Sequence, residues 1–403
     1  MAKTKVAVVK SPEKPDENEI EATVRKAVGL TGGLTDVIKR GDTVIIKPNL
    51  VTAKPPETGA TTDPRVCKAI ANMVKELGAR PIIAESSMIG QNTEEAIHVA
   101  GYGKLREDDF EVIDLKKKGI ETVKVPVPRG KVLKEVTLPK IVVEANVIIS
   151  VPKMKTHDQA EVTLAVKNMK GVLPDAYKRK FHHVFGVFQS VADLLTVVKP
   201  AFSVVDGIIA MSGLGPVFGD PIEMNLIIAG KDVVAVDAVT AKIMGFEPQE
   251  CGCLREAAKS KVGTMDLDKI EVVGEPITRV QRRFRRAEEA VMEKVPFPEG
   301  FQVIMNEKAC SGCRNQVLSS LFDLKEAGLL DRAAGWIVVS GKTDRLPDVP
   351  REKLLLVGAC LSGFMKEAAF VEGCPPNGRD IVQGLGLAEA VGMVETDVGT
   401  EEG

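Results

Sequence analysis

The chain has 403 residues, 44% of them hydrophobic and 27% charged, and its formal net charge at pH 7 is −2. This length and composition predict a globular protein of two domains, and the near-zero charge excludes the strongly basic character typical of proteins that bind nucleic acid or anionic membranes. The N-terminus has no signal-peptide pattern and no apolar run reaches ~18 residues, so we expect a cytoplasmic protein without a membrane span.

Short runs rich in β-branched residues alternate with amphipathic stretches in the first 276 residues. One stretch, Asp63–Leu77, has Asp63 and Pro64 in the N-cap and N1 positions and is predicted to be a helix. The alternation predicts an α/β fold with a mostly parallel sheet, whose ligands bind beyond the carboxyl ends of the strands. The predicted strands are Lys5–Val9, Thr43–Lys47, Arg80–Ala84, Glu111–Leu115, Val147–Val151, Phe202–Val205 and Leu226–Ala229.

Residues 277–297 interrupt this alternation with five arginines and then prolines, and we interpret them as a linker between domains. The alternative is a solvated helix on the first domain; the arginines could also attract an acidic electron-transfer partner. A second α/β alternation predicts a small parallel domain over residues 298–395 and a disordered tail over 396–403. Its predicted elements are strand Phe301–Met305, helix Asn315–Glu326, and strands Trp336–Ser340 and Lys353–Val357.

Lysines and hydrogen-bonding residues follow several predicted strands of the first domain. An ammonium group at the end of a hydrophobic strand is costly to bury unless an anion meets it, so these lysines predict a pocket for a phosphate or carboxylate. Each lysine taken alone is more often a solvated surface charge. We predict catalytic roles for Lys155, His157 and Lys167, and substrate binding by Lys47, Asn49, Lys153, Asn168, Lys170 and His182.

Other polar residues of the first domain have two interpretations each. Asp206 and Asp237 could position a lysine or bind a metal, or they could cap turns. His157 could act as an acid, a base or a hydrogen-bond donor, or be structural. Cys251 and Cys253 have no nearby residues that complete a metal-ligand set, and we interpret them as structural.

The first domain resembles a known family in several motifs that occur in the same order. The family is domain of unknown function 362, and the resemblance covers about Val6 to Gly245. Its members often carry iron–sulfur modules, so the resemblance implies such a module here. A fainter likeness to the N-terminal domain of nickel-dependent lactate racemase rests only on the layout of strands, lysines and histidine, and implies no nickel. The motifs are Lys47-Pro48-Asn49, Pro152–His157, Lys167–Gly171, Val205-Asp206-Gly207 and Val234–Ala238.

Four of the seven cysteines are in the second domain. Seven is an odd number in a long chain, which favours reduced thiols over a disulfide framework. Cys310 and Cys313 follow the first predicted strand, Cys360 follows another, and Cys374 precedes a predicted helix. Because the strands are predicted to be parallel, the four thiols are expected at one edge of the sheet. Four cysteines without a histidine fit a four-iron cluster or a structural zinc ion, and ordinary buried thiols are the third interpretation.

The order Cys-x-x-Cys, Gly-x-Cys and Gly-Cys-Pro-Pro resembles the cluster-binding domain of two families. They are the small subunit of nickel–iron hydrogenases and the twenty-kilodalton subunit of NADH:ubiquinone oxidoreductase. The resemblance covers about Phe301 to Gly386 and is most specific at Gly373–Asn377. It implies a flavodoxin-like domain with one [4Fe–4S] cluster, whose ligands would be Cys310, Cys313, Cys360 and Cys374.

These observations lead to a functional hypothesis of an iron–sulfur redox protein. The [4Fe–4S] cluster would pass single electrons to an anionic small molecule in the lysine pocket, or to an electron-transfer partner protein. One alternative is a non-redox enzyme with a structural cluster or zinc site, and another is a docking or assembly module. A cluster acting as a Lewis acid is less favoured, since four cysteine ligands leave no open iron site.

Overall fold

The computed structural model describes residues 3–158, 160–181, 185–287, 289–290, 296–306, 309, 311–374, 376 and 378–387. The chain divides into two compact units, Met1–Ala290 and Val291–Gly403. The boundary falls inside the predicted linker 277–297, while the predicted tail 396–403 lies outside the described residues. Both units are of α/β type, as the sequence predicts. Among the described residues, no helix has the length and apolar character needed to cross a membrane.

The first unit is built on a ten-stranded sheet. Strands β5 and β6, in the numbering below, form a separate antiparallel hairpin. The twelve strands are β1 (Thr4–Lys10), β2 (Thr43–Lys47), β3 (Arg80–Glu85), β4 (Glu111–Asp114), β5 (Thr122–Pro126), β6 (Glu135–Pro139), β7 (Val147–Ser150), β8 (Lys153–His157), β9 (Glu161–Thr163), β10 (Phe202–Ser212), β11 (Asp220–Gly230) and β12 (Ile270–Gly274).

The main path of the sheet runs β12-β1-β11-β10-β7-β2-β3-β4, with β8 beside β10 and β9 beside β8. Six of its neighbouring pairs are parallel, which confirms the predicted mostly parallel sheet. Strand β11 is antiparallel to both β1 and β10, and β9 is antiparallel to β8. Strand β8 contains residues that we expected beside the turn after β7. Its polar side chains mask the strand pattern in the sequence.

Helices cover both faces of this sheet, because successive strand residues point to opposite sides. Val6 and Val8 belong to one apolar core, whereas Ala7 and Val9 belong to the other. The predicted Asp63 cap is confirmed, since its carboxylate accepts the Arg65 N–H. The helices of the first unit are α1 (Glu17–Leu30), α2 (Pro64–Glu76), α3 (Thr93–Val99), α4 (Gly103–Glu107), α5 (Lys140–Val143), α6 (Ala165–Asn168), α7 (Asp175–Lys180), α8 (Val187–Leu194), α9 (Val233–Ile243), α10 (Gly252–Lys259) and α11 (Ile277–Val280).

The arginines after β12 are paired with acidic residues of the first unit. Phe284, in the middle of the run, is buried in the apolar core, and the Arg282 N–H donates to the Ile243 carbonyl. This segment is therefore packed against the first unit, and most of its positive charge is locally neutralised. The ion pairs are Arg279–Glu275, Arg283–Glu289, Arg285–Asp220 and Arg286–Glu250.

The second unit has a four-stranded, wholly parallel sheet in the order β13-β14-β15-β16. Three of these strands match the predicted runs, while β16 was not predicted. Helix α12 begins four residues before its predicted start, so its first turn contains Cys313. The elements are β13 (Gln302–Met305), α12 (Ser311–Glu326), β14 (Ile337–Ser340), β15 (Leu354–Val357), β16 (Ala369–Val371) and α13 (Gly378–Gly384).

Candidate functional site

Lys47 ends strand β2 with its side chain fully buried. Its Nζ donates to Glu85 Oε2 at 2.8 Å and to the Pro48 carbonyl at 2.7 Å. Glu85 ends the adjacent parallel strand β3, and it also accepts the backbone N–H groups of Leu50 and Ser86. Burial lowers the pKa of Lys47, and the Glu85 carboxylate opposes this shift. The fold itself thus supplies the counter-charge that Lys47 requires.

Gly171 makes room for this ion pair. A methyl group at residue 171 would lie 2.5 Å from Glu85 Oε1 and 2.6 Å from Lys47 Nζ. We expect Gly171→Ala to lower the free energy of unfolding by about 1–3 kcal/mol, because a locked buried pair cannot move aside without strain. Chemical denaturation measures this change. Gly29→Ala is the control: its methyl group meets nothing within 4 Å, and alanine there favours helix α1. Equal stability of the two variants would contradict the tight packing of the pair.

Lys153 forms a second buried ion pair. Its Nζ donates to Asp206 Oδ2 at 2.9 Å, and both side chains are at most 1% exposed. Strand register places Asp206 on β10 directly beside Lys153 on β8. Asp206 also accepts the N–H groups of Asp63 and Ile208. These contacts supply hydrogen-bond partners to a buried carboxylate. Asp206 positions a lysine, which is one of the three roles considered for it.

Lys155 is two residues beyond Lys153 on β8 but contacts a different kind of partner. Its Nζ donates to Asn49 Oδ1 at 2.8 Å, to the Ala60 carbonyl at 2.5 Å and to the Pro216 carbonyl at 3.2 Å. These three acceptors match the three N–H groups of an ammonium ion, yet none carries a charge. Burial, followed by the positive charge of Lys167, lowers the pKa of Lys155 well below its ordinary value.

Two asparagines connect the buried lysines. Asn49 Nδ2 donates to Asn168 Oδ1 at 3.2 Å, and Lys47 Nζ lies 3.4 Å from the same oxygen. Asn168 Nδ2 donates to the Lys47 carbonyl at 2.9 Å. The structure therefore brings Lys47, Asn49, Lys155 and Asn168 into one hydrogen-bonded network at the carboxyl end of β2.

Lys167 lies on the short helix α6. The carboxylate of Asp237 accepts the N–H groups of Ala165 and Val166, both at 2.8 Å, and so fixes the start of this helix. Burial lowers the pKa of Lys167, while the thiol of Cys253 and the carboxylate of Asp158 oppose this shift. Burial also raises the pKa of Asp237 to about 8. Asp237 thus acts as a helix cap, one of the roles considered for it.

His157 ends strand β8 and is 6% exposed. Its Nδ1 lies 2.8 Å from Asp158 Oδ1, so the carboxylate orients the imidazole ring. Across the β8–β9 hairpin, His157 is directly opposite Glu161. The position of His157 beside the lysines agrees with a place in the pocket.

The remaining predicted residues have different outcomes. Lys170 is half-buried in the turn after α6 and lies near enough to Cys253 to lower the pKa of its thiol. His182 is outside the described residues. Cys251 and Cys253 are buried, and burial raises the pKa of Cys253 to about 12. Both thiols are thus protonated at neutral pH.

In the second unit, two cysteine sulfurs lie close to Gly358. Cys313, in the first turn of α12, is buried, and Cys360 follows β15 and is exposed. A methyl group at Gly358 would lie 3.1 Å from Cys313 Sγ and 3.7 Å from Cys360 Sγ. Gly358 has a φ of +109°, which favours glycine. The two sulfurs therefore face the same small space beside the Gly358 backbone.

Backbone hydrogen bonds bring the segment of Cys374 next to that of Cys360. The Ala359 N–H donates to the Gly373 carbonyl at 2.8 Å, and the Gly358 N–H donates to the Val371 carbonyl at 3.0 Å. Cys374 is exposed, and Cys310 lies outside the described residues. Within the described part of the chain, no three or more His, Cys, Asp or Glu side chains are grouped in a way that could hold a metal ion.

Some residues of the site were missed or left without a role at the sequence level. Glu85 was recognised as a polar residue after a strand but was given no role, although it ends a buried strand next to the strand of Lys47. The carbonyls of Ala60 and Pro216 carry no sequence signal, since any residue supplies a carbonyl. Glu161 and Thr163 belong to a strand of only three residues, which is too short for a periodic pattern.

The fold and the site define a two-unit α/β protein with buried lysines at the carboxyl ends of a mostly parallel sheet. The chain belongs to the family described as domain of unknown function (DUF362), whose profile matches residues 44–242. A relative is the thylakoid-associated protein sll1697 of Synechocystis, which is 30% identical over 247 residues, 60% of this chain and 74% of that protein. The predicted membership of this family is thereby confirmed.

A search of solved structures aligns the chain with the lactate racemase apoprotein from Thermoanaerobacterium thermosaccharolyticum. The alignment covers 96% of this chain and 86% of that chain, with 13% sequence identity and a TM-score of 0.41. The resemblance of the second unit to hydrogenase and oxidoreductase subunits remains a prediction.

Proposed function

We propose that this protein is a cytoplasmic redox protein in which a [4Fe–4S] cluster, held by Cys310, Cys313, Cys360 and Cys374, exchanges single electrons with an anionic small molecule or a partner protein. The observation that carries the proposal is the approach of Cys313 Sγ and Cys360 Sγ to the same side of Gly358. Thiolates are the usual ligands of iron–sulfur clusters, and these two come from separate segments that follow parallel strands.

The chain holds the cysteines through its backbone. The bond from Ala359 to Gly373 fixes the segment of Cys374 beside that of Cys360. Arg314 donates to the carbonyls of Ala309 and Asn306, at 3.1 and 3.0 Å, and so braces the segment that leads to Cys310. When bound, the cluster supplies one-electron chemistry.

A partner protein is supported by the exposure of Cys360 and Cys374. Exposed ligands bring a redox centre close to the surface, where a docked protein can exchange electrons with it. The arginines after β12 do not support an acidic partner at that segment, since four of them are paired with carboxylates.

An anionic substrate is supported by the charges of the first unit. Lys47 and Lys153 have carboxylate partners, whereas Lys155 contacts only uncharged oxygens. The ammonium group of Lys167 forms no hydrogen bond or ion pair with any residue that the structure describes, and the nearby opposing charges are those of Cys253 and Asp158. Burial lowers the pKa of both lysines and so opposes their charged forms, whereas a bound anion would stabilise those charged forms. We therefore propose that Lys155 and Lys167 supply the charge of the substrate pocket, with Lys47 and Lys153 supporting its walls.

The space beside Gly358 gives a direct test of the cluster site. We expect Gly358→Ala to lose most of its bound iron, because the new methyl group would lie 3.1 Å from Cys313 Sγ and the positive φ is unfavourable for alanine. Iron per chain is measured after purification without oxygen. Gly363→Ala, in the same loop, meets nothing within 4 Å and should keep wild-type iron. A Gly358→Ala protein that is folded and fully loaded with iron would contradict the proposed site.

A further inference from the structure

The hairpin of β8 and β9 presents four functional side chains on one face. Lys155 is directly opposite Thr163, and His157 is directly opposite Glu161. Residues that face each other across an antiparallel pair share a side of the sheet, as do residues two apart along a strand. The same face therefore carries an ammonium, an imidazole, a carboxyl and a hydroxyl group.

Two oxygens on this face are buried without a hydrogen-bond partner among the described residues. They are Thr163 Oγ1 and Glu161 Oε2, and Thr163 is only 2% exposed. A buried polar atom without a partner costs about 1–3 kcal/mol. Native structures keep such atoms mostly where a ligand, ion or water meets them. These two oxygens, only two residues apart on one strand, thus mark a binding site.

Glu161 is held in a strained conformation. Its φ of +57° is unusual for a residue other than glycine, and backbone strain of this kind concentrates at functional sites. Burial raises the pKa of this side chain, and the backbone N–H of Gly252 opposes the shift. The surroundings of Glu161 therefore shift its carboxyl group toward the protonated form.

Lys167 lies near this face of the hairpin, since its charge acts on Lys155, which is directly opposite Thr163. The thiol of Cys253 is close enough to both Lys167 and Glu161 for each to shift its pKa. Lys167 is also only four residues beyond Thr163, on the helix α6 that follows β9. The hydroxyl of Thr163 and the ammonium of Lys167 can both donate to an anionic oxygen, whereas Glu161 requires a proton between itself and any such oxygen.

We propose that Glu161, Thr163 and Lys167 form an oxyanion site in which Glu161 Oε2 shares one proton with an oxygen of the ligand. This inference rests on the anion pocket proposed above and narrows its ligand to oxyanions that bring their own acidic proton, such as phosphate or a phosphate monoester. Sulfate is also tetrahedral and has the same double negative charge as hydrogen phosphate, but it carries no proton at neutral pH. Sulfate could make this bond only if Glu161 took up a proton from solution, which becomes less favourable as the pH rises.

The test is calorimetric titration of the full chain with inorganic phosphate and, separately, with sulfate at pH 8 and constant ionic strength. We expect phosphate to bind at least about tenfold more tightly than sulfate, since a charge-assisted hydrogen bond is present only with phosphate. Glu161→Gln should remove this preference, and Thr163→Val should weaken phosphate binding. Lys167→Ala should weaken the binding of both anions. Glu271→Gln and Lys118→Ala, at exposed positions, are the matched controls.

The possible titration results distinguish the proton-sharing oxyanion site from the more general anion pocket. Equal affinity of the wild-type protein for phosphate and sulfate would overturn proton sharing by Glu161 and leave the anion pocket in place. Absence of binding by either anion would overturn both the oxyanion site and the pocket. The comparison of the two anions in the wild-type protein requires no substitution, so it remains decisive even when a variant does not fold.

Discussion

Asp206→Asn is expected to lower the free energy of unfolding by about 3–5 kcal/mol, because it leaves the ammonium of Lys153 buried without its carboxylate. Lys153 is 1% exposed and Asp206 is fully buried, and their contact is 2.9 Å long. Asparagine has nearly the same size as aspartate. Its amide group, however, would direct N–H donors at the backbone N–H groups of Asp63 and Ile208, which donate to the Asp206 carboxylate in the wild type. Denaturation by urea, followed by circular dichroism, measures the loss.

Two further variants test whether the unpaired charge of Lys153 causes the loss of stability. Asp36→Asn removes the carboxylate of the exposed Lys231–Asp36 pair, and its denaturation midpoint should coincide with that of the wild type. The double variant Lys153→Met, Asp206→Leu replaces the pair by apolar groups and should recover most of the lost stability. A loss in Asp206→Asn no larger than that in Asp36→Asn would show that the buried pair is not important for the fold.

Cys313→Ser is expected to remove nearly all of the iron, from about four atoms per chain in the wild type to near zero. Cys313 is buried and faces the space beside Gly358, where a serine hydroxyl is a poor substitute for a soft thiolate. The measurement is iron content after purification without oxygen, together with the visible absorption of the cluster. Cys360→Ser should give the same loss.

Cys67→Ser is the control for these cysteine variants. Cys67 is buried in helix α2 of the first unit, with its sulfur 3.4 Å from the hydroxyl of Tyr102. Because it lies in the other unit, its replacement should leave the iron content unchanged. Wild-type iron in both Cys313→Ser and Cys360→Ser would contradict the assigned ligands.

The strands of the buried sheets are largely evident in the sequence, since β-branched apolar runs are needed wherever both faces are covered. Thr43–Lys47 and Arg80–Ala84 match the observed strands almost to the residue. Strand β8 was missed as a strand because only one of its five residues, Met154, is apolar. Its partners lie elsewhere in the chain, with Asp206 located 53 residues away from Lys153.

The candidate site was predictable in position but not in its charges. Parallel strands place Lys47, Asn49 and Lys155 at one edge of the sheet, and this common position was predicted from the sequence. The sequence does not indicate that Glu85 and Asp206 neutralise two of the lysines, because ion pairing depends on strand order and register. The same holds for Glu161, whose positive φ is a property of the folded turn alone.

The most direct measurement of the central claim is the metal content and the electron paramagnetic resonance spectrum of wild-type protein purified without oxygen, before and after reduction with dithionite. The proposed function predicts about four irons per chain and a signal that appears on reduction, as expected for a [4Fe–4S] cluster. One zinc per chain without a signal would contradict it, and would leave a metal-stabilised second unit beside an anion-binding enzyme or docking module.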